Sequence, residues 1–193
     1  MKTMKTNFLK SAFIAVLAIS FASFTTIIKK ELKVKESNVT WKGYKVTGSH
    51  EGTIKLVDGS LSFENDVLTG GNFNIDMASI NVTDLKAGKG KEKLEGHLKS
   101  DDFFGTENHK NATLTITNVE GKVDSYKVTG DLMIKGKTNT ITFDMTIVDN
   151  TAVAKLKVDR TKYDIKYGSA SFFDGLKDKA IYDEFDLNVT MKF

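Results

Sequence analysis

From about Val34 to the C-terminus, apolar and polar residues alternate with a period of two. That period marks strands with one buried and one wet face, because successive side chains of a strand point to opposite sides. Val39, Trp41 and Gly43 alternate with Thr40, Lys42 and Tyr44; Phe73, Ile75 and Met77 with Asn74 and Asp76; Leu114 and Ile116 with threonines. Val128, Leu132 and Ile134 share a parity with Tyr126 and Gly130, and Phe143 and Met145 share one with Ile141 and Ile147. Further runs are Ala154-Leu156-Val158 and Phe185-Leu187-Val189-Met191-Phe193, each counted at alternate positions.

Turn signals separate the runs. Asp58-Gly59 is the strongest, since both residues tolerate the positive φ of a tight hairpin. Glu64-Asn65-Asp66, Glu120-Gly121, Lys135-Gly136 and Asp149-Asn150 follow. Short connections imply antiparallel neighbours. Two stretches break the pattern. Lys89 to Leu98 predicts a short helix, with Leu94 and Leu98 on one face. Gly168 to Lys179, with Phe172, Phe173 and Leu176, predicts a loop or helical turn packed against the sheet.

With about eight strands, each apolar on one face, and one short helix, the chain has nothing to cover an open sheet. The expected fold is therefore all-β. It is a closed antiparallel barrel of about eight strands with one inserted helix, or else a sandwich. Such an interior either fills with side chains or holds one small guest, and alternation alone is compatible with both.

Composition changes this picture in three places. The absence of cysteine removes disulfides, thiol chemistry and thiolate metal sites. Lys2, Lys5 and Lys10 precede the apolar stretch from Ala12 to Ile19, and Ser20-x-Ala22 offers a cleavage site. Residues 1–22 are therefore expected to be a signal peptide, removed on export to the periplasm or the exterior. The uncharged run Ser11 to Ile28 is 18 residues long, at the lower limit for a membrane anchor, but five of them carry hydroxyls. Setting those three lysines aside leaves 25 basic against 25 acidic residues. No basic field then exists to attract nucleic acid.

Little chemistry is visible. His50, His97 and His109 form no close pair, and the chain has neither a Gly-x-Ser-x-Gly elbow nor a phosphate-binding glycine loop. Acid pairs such as Asp101-Asp102 and Asp183-Glu184 read as solvated turns. Arg160 is the single arginine. Its fixed fork of donors suits a structural clasp at a strand end, with a phosphate contact as the alternative.

Five segments, in order, resemble the YceI-like family of bacterial lipid or polyisoprenoid-binding barrels. They are Ser37 to Trp41 with His50 and Gly52; Asp76-Met77-Ala78-Ser79-Ile80; His97 to Phe104 with Asn108 to Thr113; Tyr126 to Thr138; and Asp159 to Ile165 with Asp183-Glu184-Phe185. Lys110 stands where the family usually has proline. The resemblance spans residues 32–193 and implies a lipocalin-like extended barrel. It also implies an exported carrier of an isoprenoid-type or fatty lipid, with no further cofactor and no catalytic or metal residues. The expected lining is Trp41, Phe73, Ile75, Met77, Phe103, Phe104, Leu114, Ile116, Val128, Leu132, Ile134, Phe143, Met145, Phe185, Leu187 and Val189. The expected partner is an amphiphilic lipid, with no nucleic acid, no membrane span after signal removal, and a homodimer left open. The competing readings are an enzyme acting on a lipid inside the same barrel and a ligand-free structural or interaction protein.

Overall fold

The computed structural model describes residues 26–193; the expected signal peptide lies outside them. Nine strands and one α-helix follow in order: β1 (Lys29–Lys33), β2 (Glu36–Lys45), β3 (Gly48–Glu64), β4 (Val67–Val82), α1 (Lys91–Lys99), β5 (Asn111–Lys122), β6 (Ser125–Ile134), β7 (Lys137–Val148), β8 (Thr151–Asp159) and β9 (Ile181–Lys192). From β2 to β9 each strand pairs antiparallel with the next, and β9 returns to pair with β2. The result is a closed, eight-stranded, up-and-down barrel, with β1 extending the pairing along the far half of β3. Closure removes the open edges that an eight-stranded sheet would otherwise expose. Strand β1, with three lysines in five residues, carries no alternation and was not foreseen.

Three hairpin turns fall where the sequence places them. Asn65-Asp66, Lys135-Gly136 and Asp149-Asn150 all have positive φ, as a two-residue hairpin matched to the sheet twist requires. Asp58-Gly59, the strongest turn signal, is not a turn. Both residues lie inside the 17-residue β3, beside a register shift between Leu56 and Asp58. Gly59 pairs with Phe73, and a Cβ on it would come within 2.4 Å of the Phe73 ring. The glycine is there for close packing under an aromatic ring, a use that local sequence does not distinguish from a turn. Glu120-Gly121 likewise stays within β5, and the reversal comes after it.

The helix begins two residues later than expected. Glu92 accepts hydrogen bonds from Gly88 N, and Glu95 accepts one from Val82 N at 2.8 Å, which ties α1 to the end of β4. Leu98 is its buried residue.

Strand pairing alone does not hold the start of β9. Near residues 181–184 its register with β2 shifts, and Arg160 takes up the freed carbonyls. Arg160 Nε donates to Tyr182 O at 3.1 Å, Nη2 to Ile181 O at 3.0 Å and Nη1 to Ile165 O at 2.7 Å. The side chain is 2% exposed, with Asp183 3.7 Å away and the Phe103 ring beneath it. Burial lowers its pKa, and Asp183 and Asp159 oppose that shift. A guanidinium stays charged in this setting. The clasp expected from sequence is the geometry observed. The long connection after it differs from expectation: Phe172 and Phe173 do not pack down on the barrel but are 49% and 50% exposed.

Three carbonyls held by one planar fork cannot be held by an ammonium point charge. Arg160→Lys is expected to cost about 2–4 kcal/mol of stability, read as a drop in Tm and in denaturant midpoint. An unchanged Tm would show that the start of β9 holds itself.

Candidate functional site

The barrel interior is divided. In the half near the Asn65-Asp66 and Asp149-Asn150 turns, side chains fill it: Leu61, Leu68, Val128, Met145, Ala152 and Met191 are all buried. The other half, below α1, contains a cavity of about 140 Å³. One water needs on the order of 10–15 Å³ by the same measure, so this space is about ten waters in size. Its wall is apolar almost throughout.

The wall is built from strand ends. β2 supplies Val39, Trp41, Gly43 and Tyr44, and β3 supplies Ile54. From β4 come Ile75, Met77 and Ile80. Met77 and Ile80 differ in parity yet both face inward, because four residues, Met77 to Ile80, are looped out of the β3–β4 register. The bulge is held by its own polar groups. Ala78 N donates to Asp76 Oδ1 at 2.9 Å, Ser79 Oγ donates to Asp76 O at 2.6 Å, and Lys55 N donates to Ser79 Oγ at 2.8 Å. This accounts physically for the Asp-x-x-Ser-Ile segment: the aspartate and serine make the bulge, and the bulge turns two apolar side chains into one cavity.

Trp41 lies flat across its cross-strand partner Gly52, where a Cβ would come within 2.6 Å of the ring, and its Nε1 donates to Thr53 O at 3.3 Å. On the helix side, Phe103 and Phe104 meet edge to face with centroids 5.1 Å apart, and Phe104 meets Phe185 at 6.4 Å. Leu132 and Ile134 from β6 and Leu187 from β9 complete the apolar belt. The β7–β8 side is closed by the turn after β8, whose Tyr163 and Ile165 are buried. Burial pushes the Tyr163 hydroxyl up to about 12.

Nine of the sixteen expected lining residues stand in the cavity wall: Trp41, Ile75, Met77, Phe103, Phe104, Leu132, Ile134, Phe185 and Leu187. The other seven do not. Phe73, Leu114, Ile116, Val128, Phe143, Met145 and Val189 belong to or pack against the continuous buried core without bordering the cavity. Parity decides that a residue faces inward; height along the barrel decides whether it meets space or another side chain. Sequence reasoning missed Val39, Gly43, Tyr44, Ile54, Ile80, Leu98, Ala112, Ile181, Tyr182 and Glu184 as lining residues, and gave Arg160 no place in the wall. Leu98 and Ile80 had a usable signal, since both sit in the segments resembling the family.

The wall residue Tyr44 reaches an ion pair on the outer face of the barrel, where Asp186 and Lys157 alternate with the inward Phe185, Leu187, Leu156 and Val158. Tyr44 Oη donates to Asp186 Oδ2 at 2.6 Å, and Lys157 Nζ donates to Asp186 Oδ1 at 3.0 Å. The Tyr44 hydrogen bond holds Asp186 below the usual carboxylate range, and the contact with Asp186 raises Lys157. The histidines do not converge. His50 Nδ1 meets Asp84 Oδ2 at 2.8 Å on the rim, His97 lies between the Phe103 and Tyr167 rings, and His109 sits against Gly136. Among the described residues, no three His, Cys, Asp or Glu side chains gather as a metal site requires. No helix among them is long and apolar enough to cross a membrane.

Comparison with known proteins agrees with this architecture. The UPF0312 protein of Photorhabdus laumondii is 35% identical over 92 residues, 47% of this chain and 44% of that one, so the chain spans under half that relative's length. Burkholderia cenocepacia BcnA superposes with a TM-score of 0.63 at 21% identity, covering 80% of this chain and 94% of that one. A polyisoprenoid binding domain from Saccharophagus degradans, implicated in plant cell wall breakdown, superposes at 0.54 with 15% identity, covering 86% and 97%. At these identities the structural likeness is one of fold. The family model for the YceI-like domain matches residues 31–193, the whole barrel with the last three residues of β1, and the chain belongs to that family.

Proposed function

We propose that this protein is an exported lipid carrier that holds one apolar chain, of isoprenoid or fatty type, in the cavity below α1. The observation that carries the reading is the wall itself: an apolar, water-sized-times-ten space left open by a barrel whose other half is packed solid. Its arginine is spent on backbone carbonyls and offers no free charge to the interior. Such a space favours a guest that gains by leaving water, at about 0.8 kcal/mol per buried methylene before the costs of association. The polyisoprenoid binding described for the Saccharophagus degradans domain of the same fold supports the lipid class. A binding role rather than catalysis is supported by the apolar wall and by the separation of the histidines.

The division of the interior makes a paired test. Leu132 borders the cavity, whereas Val128, four residues away on the same face of β6, is wholly buried in the packed half. Leu132→Phe is expected to shorten the longest lipid recovered, with Tm nearly unchanged. Val128→Phe is expected to cost about 1–3 kcal/mol of stability without altering the chain-length profile. The measurement is native mass spectrometry and lipid extraction of protein purified from its own cells, beside thermal melting. Wild-type protein free of lipid would overturn the carrier reading.

Export is tested separately. The mature chain is expected to begin near Ser23, as N-terminal sequencing of the released protein would show. Full-length chain retained in washed membranes would overturn it.

A further inference from the structure

The connection from Arg160 to Ala180 carries a cluster of aromatic rings that the cavity does not use. Tyr167, Phe172 and Phe173 on this segment are 48%, 49% and 50% exposed, and Tyr182, just after it, is 55% exposed. Large apolar side chains grouped on the surface mark a contact site more often than scattered ones do. These are fastened to the cavity mouth. Ile181 N donates to Gly168 O at 2.8 Å, Ser171 Oγ donates to Asp183 Oδ2 at 2.5 Å, and Ile181 and Tyr182 stand in the cavity wall. Tyr167 packs on His97, which packs on the wall residue Phe103.

One lysine stands against these rings, itself 2.8 Å from Asp164 Oδ1, and others lie along the same segment. Lys166 Nζ stands 5.0 Å from the Phe172 ring centroid, and Lys162, Lys177 and Lys179 are exposed on the same segment, with Asp164, Asp174 and Asp178 between them. The two ends of the barrel also differ. Leaving aside the buried Arg160, the connections at the cavity end hold eleven lysines against nine aspartates and glutamates. The far-end turns, with β1 and residues 34–35, hold four of each. Aromatic rings beside lysines form the side-chain set that settles at the interface of an anionic bilayer, the rings at headgroup depth and the ammonium groups on the phosphates.

We propose that this segment docks the cavity mouth onto an anionic lipid bilayer, with Phe172 and Phe173 inserting at the interface. The inference rests on the carrier reading, for which it supplies the route of entry. An apolar chain could then pass between bilayer and cavity without crossing water, since the docked segment runs directly into the wall residues Ile181 and Tyr182.

The absence of cysteine makes a site-specific test direct. Phe173→Cys, and separately Val148→Cys beside the opposite-end turn, are labelled with an environment-sensitive NBD dye in the protein as cells export it. Vesicles of phosphatidylglycerol and phosphatidylcholine are then added, some carrying brominated acyl chains. Docking predicts a blue shift and bromine quenching at position 173 and neither at 148, with the response lost on pure phosphatidylcholine or in high salt. A companion double variant, Phe172→Ala with Phe173→Ala, is expected to keep its bound lipid and to slow lipid transfer between vesicles about tenfold. Equal responses at both positions, or none at 173, overturn the docking. Lipid found in the cavity of protein whose 173 probe stays silent overturns the docking alone. An empty cavity, read independently by mass spectrometry, overturns the carrier reading beneath it.

Discussion

Every strand of this barrel has one apolar face, and most of that surface can be covered only by other strands. Pairing of β9 with β2 is the contact that turns an open sheet into an enclosure, and the interior exists because of it. That pairing is irregular at one place, where β9 shifts register near residues 181–184. Arg160 repairs the irregularity by donating to the two carbonyls the ladder leaves behind and to a third from its own turn. A buried guanidinium is costly unless its donors are filled, and here backbone oxygens fill them. The clasp thus closes the barrel where regular hydrogen bonding stops.

Irregularity is also what makes the cavity. A regular eight-stranded barrel with medium-sized inward residues packs solid, as the half around Val128, Met145 and Met191 does. At the other end, the Met77–Ile80 bulge widens β4, Gly43 and Ala112 thin the wall, and Gly52 lets Trp41 lie flat instead of filling the centre. The two long connections converge on this end. One carries α1 and the Phe103-Phe104 pair over the cavity, and the other seals the β7–β8 side and places its exposed rings beside the mouth. Binding space, cover and the surface proposed for docking therefore all lie at one end, while the far end serves stability.

The sequence by itself determined the class of fold and the inward faces. Period-two alternation depends only on the geometry of a strand, so it is legible wherever one face is wet, and it placed Leu132, Ile134, Phe185 and Leu187 inward without any structure. The turns at Asn65-Asp66 and Asp149-Asn150 were legible for the same local reason, since positive φ favours those residues. The single arginine at a strand end was legible as a clasp because its donor fork has few other uses there. What only the tertiary structure decided depends on residues far apart in the chain. Gly59 looks like a turn until Phe73 is laid across it from β4. Ile80 has the wrong parity until the bulge turns it in. Phe73 and Phe143 share the inward parity of the cavity residues, yet they meet side chains from opposing strands and not empty space. Parity is a property of one strand; volume is a property of eight strands closed on one another, and no local pattern records where their side chains fail to meet.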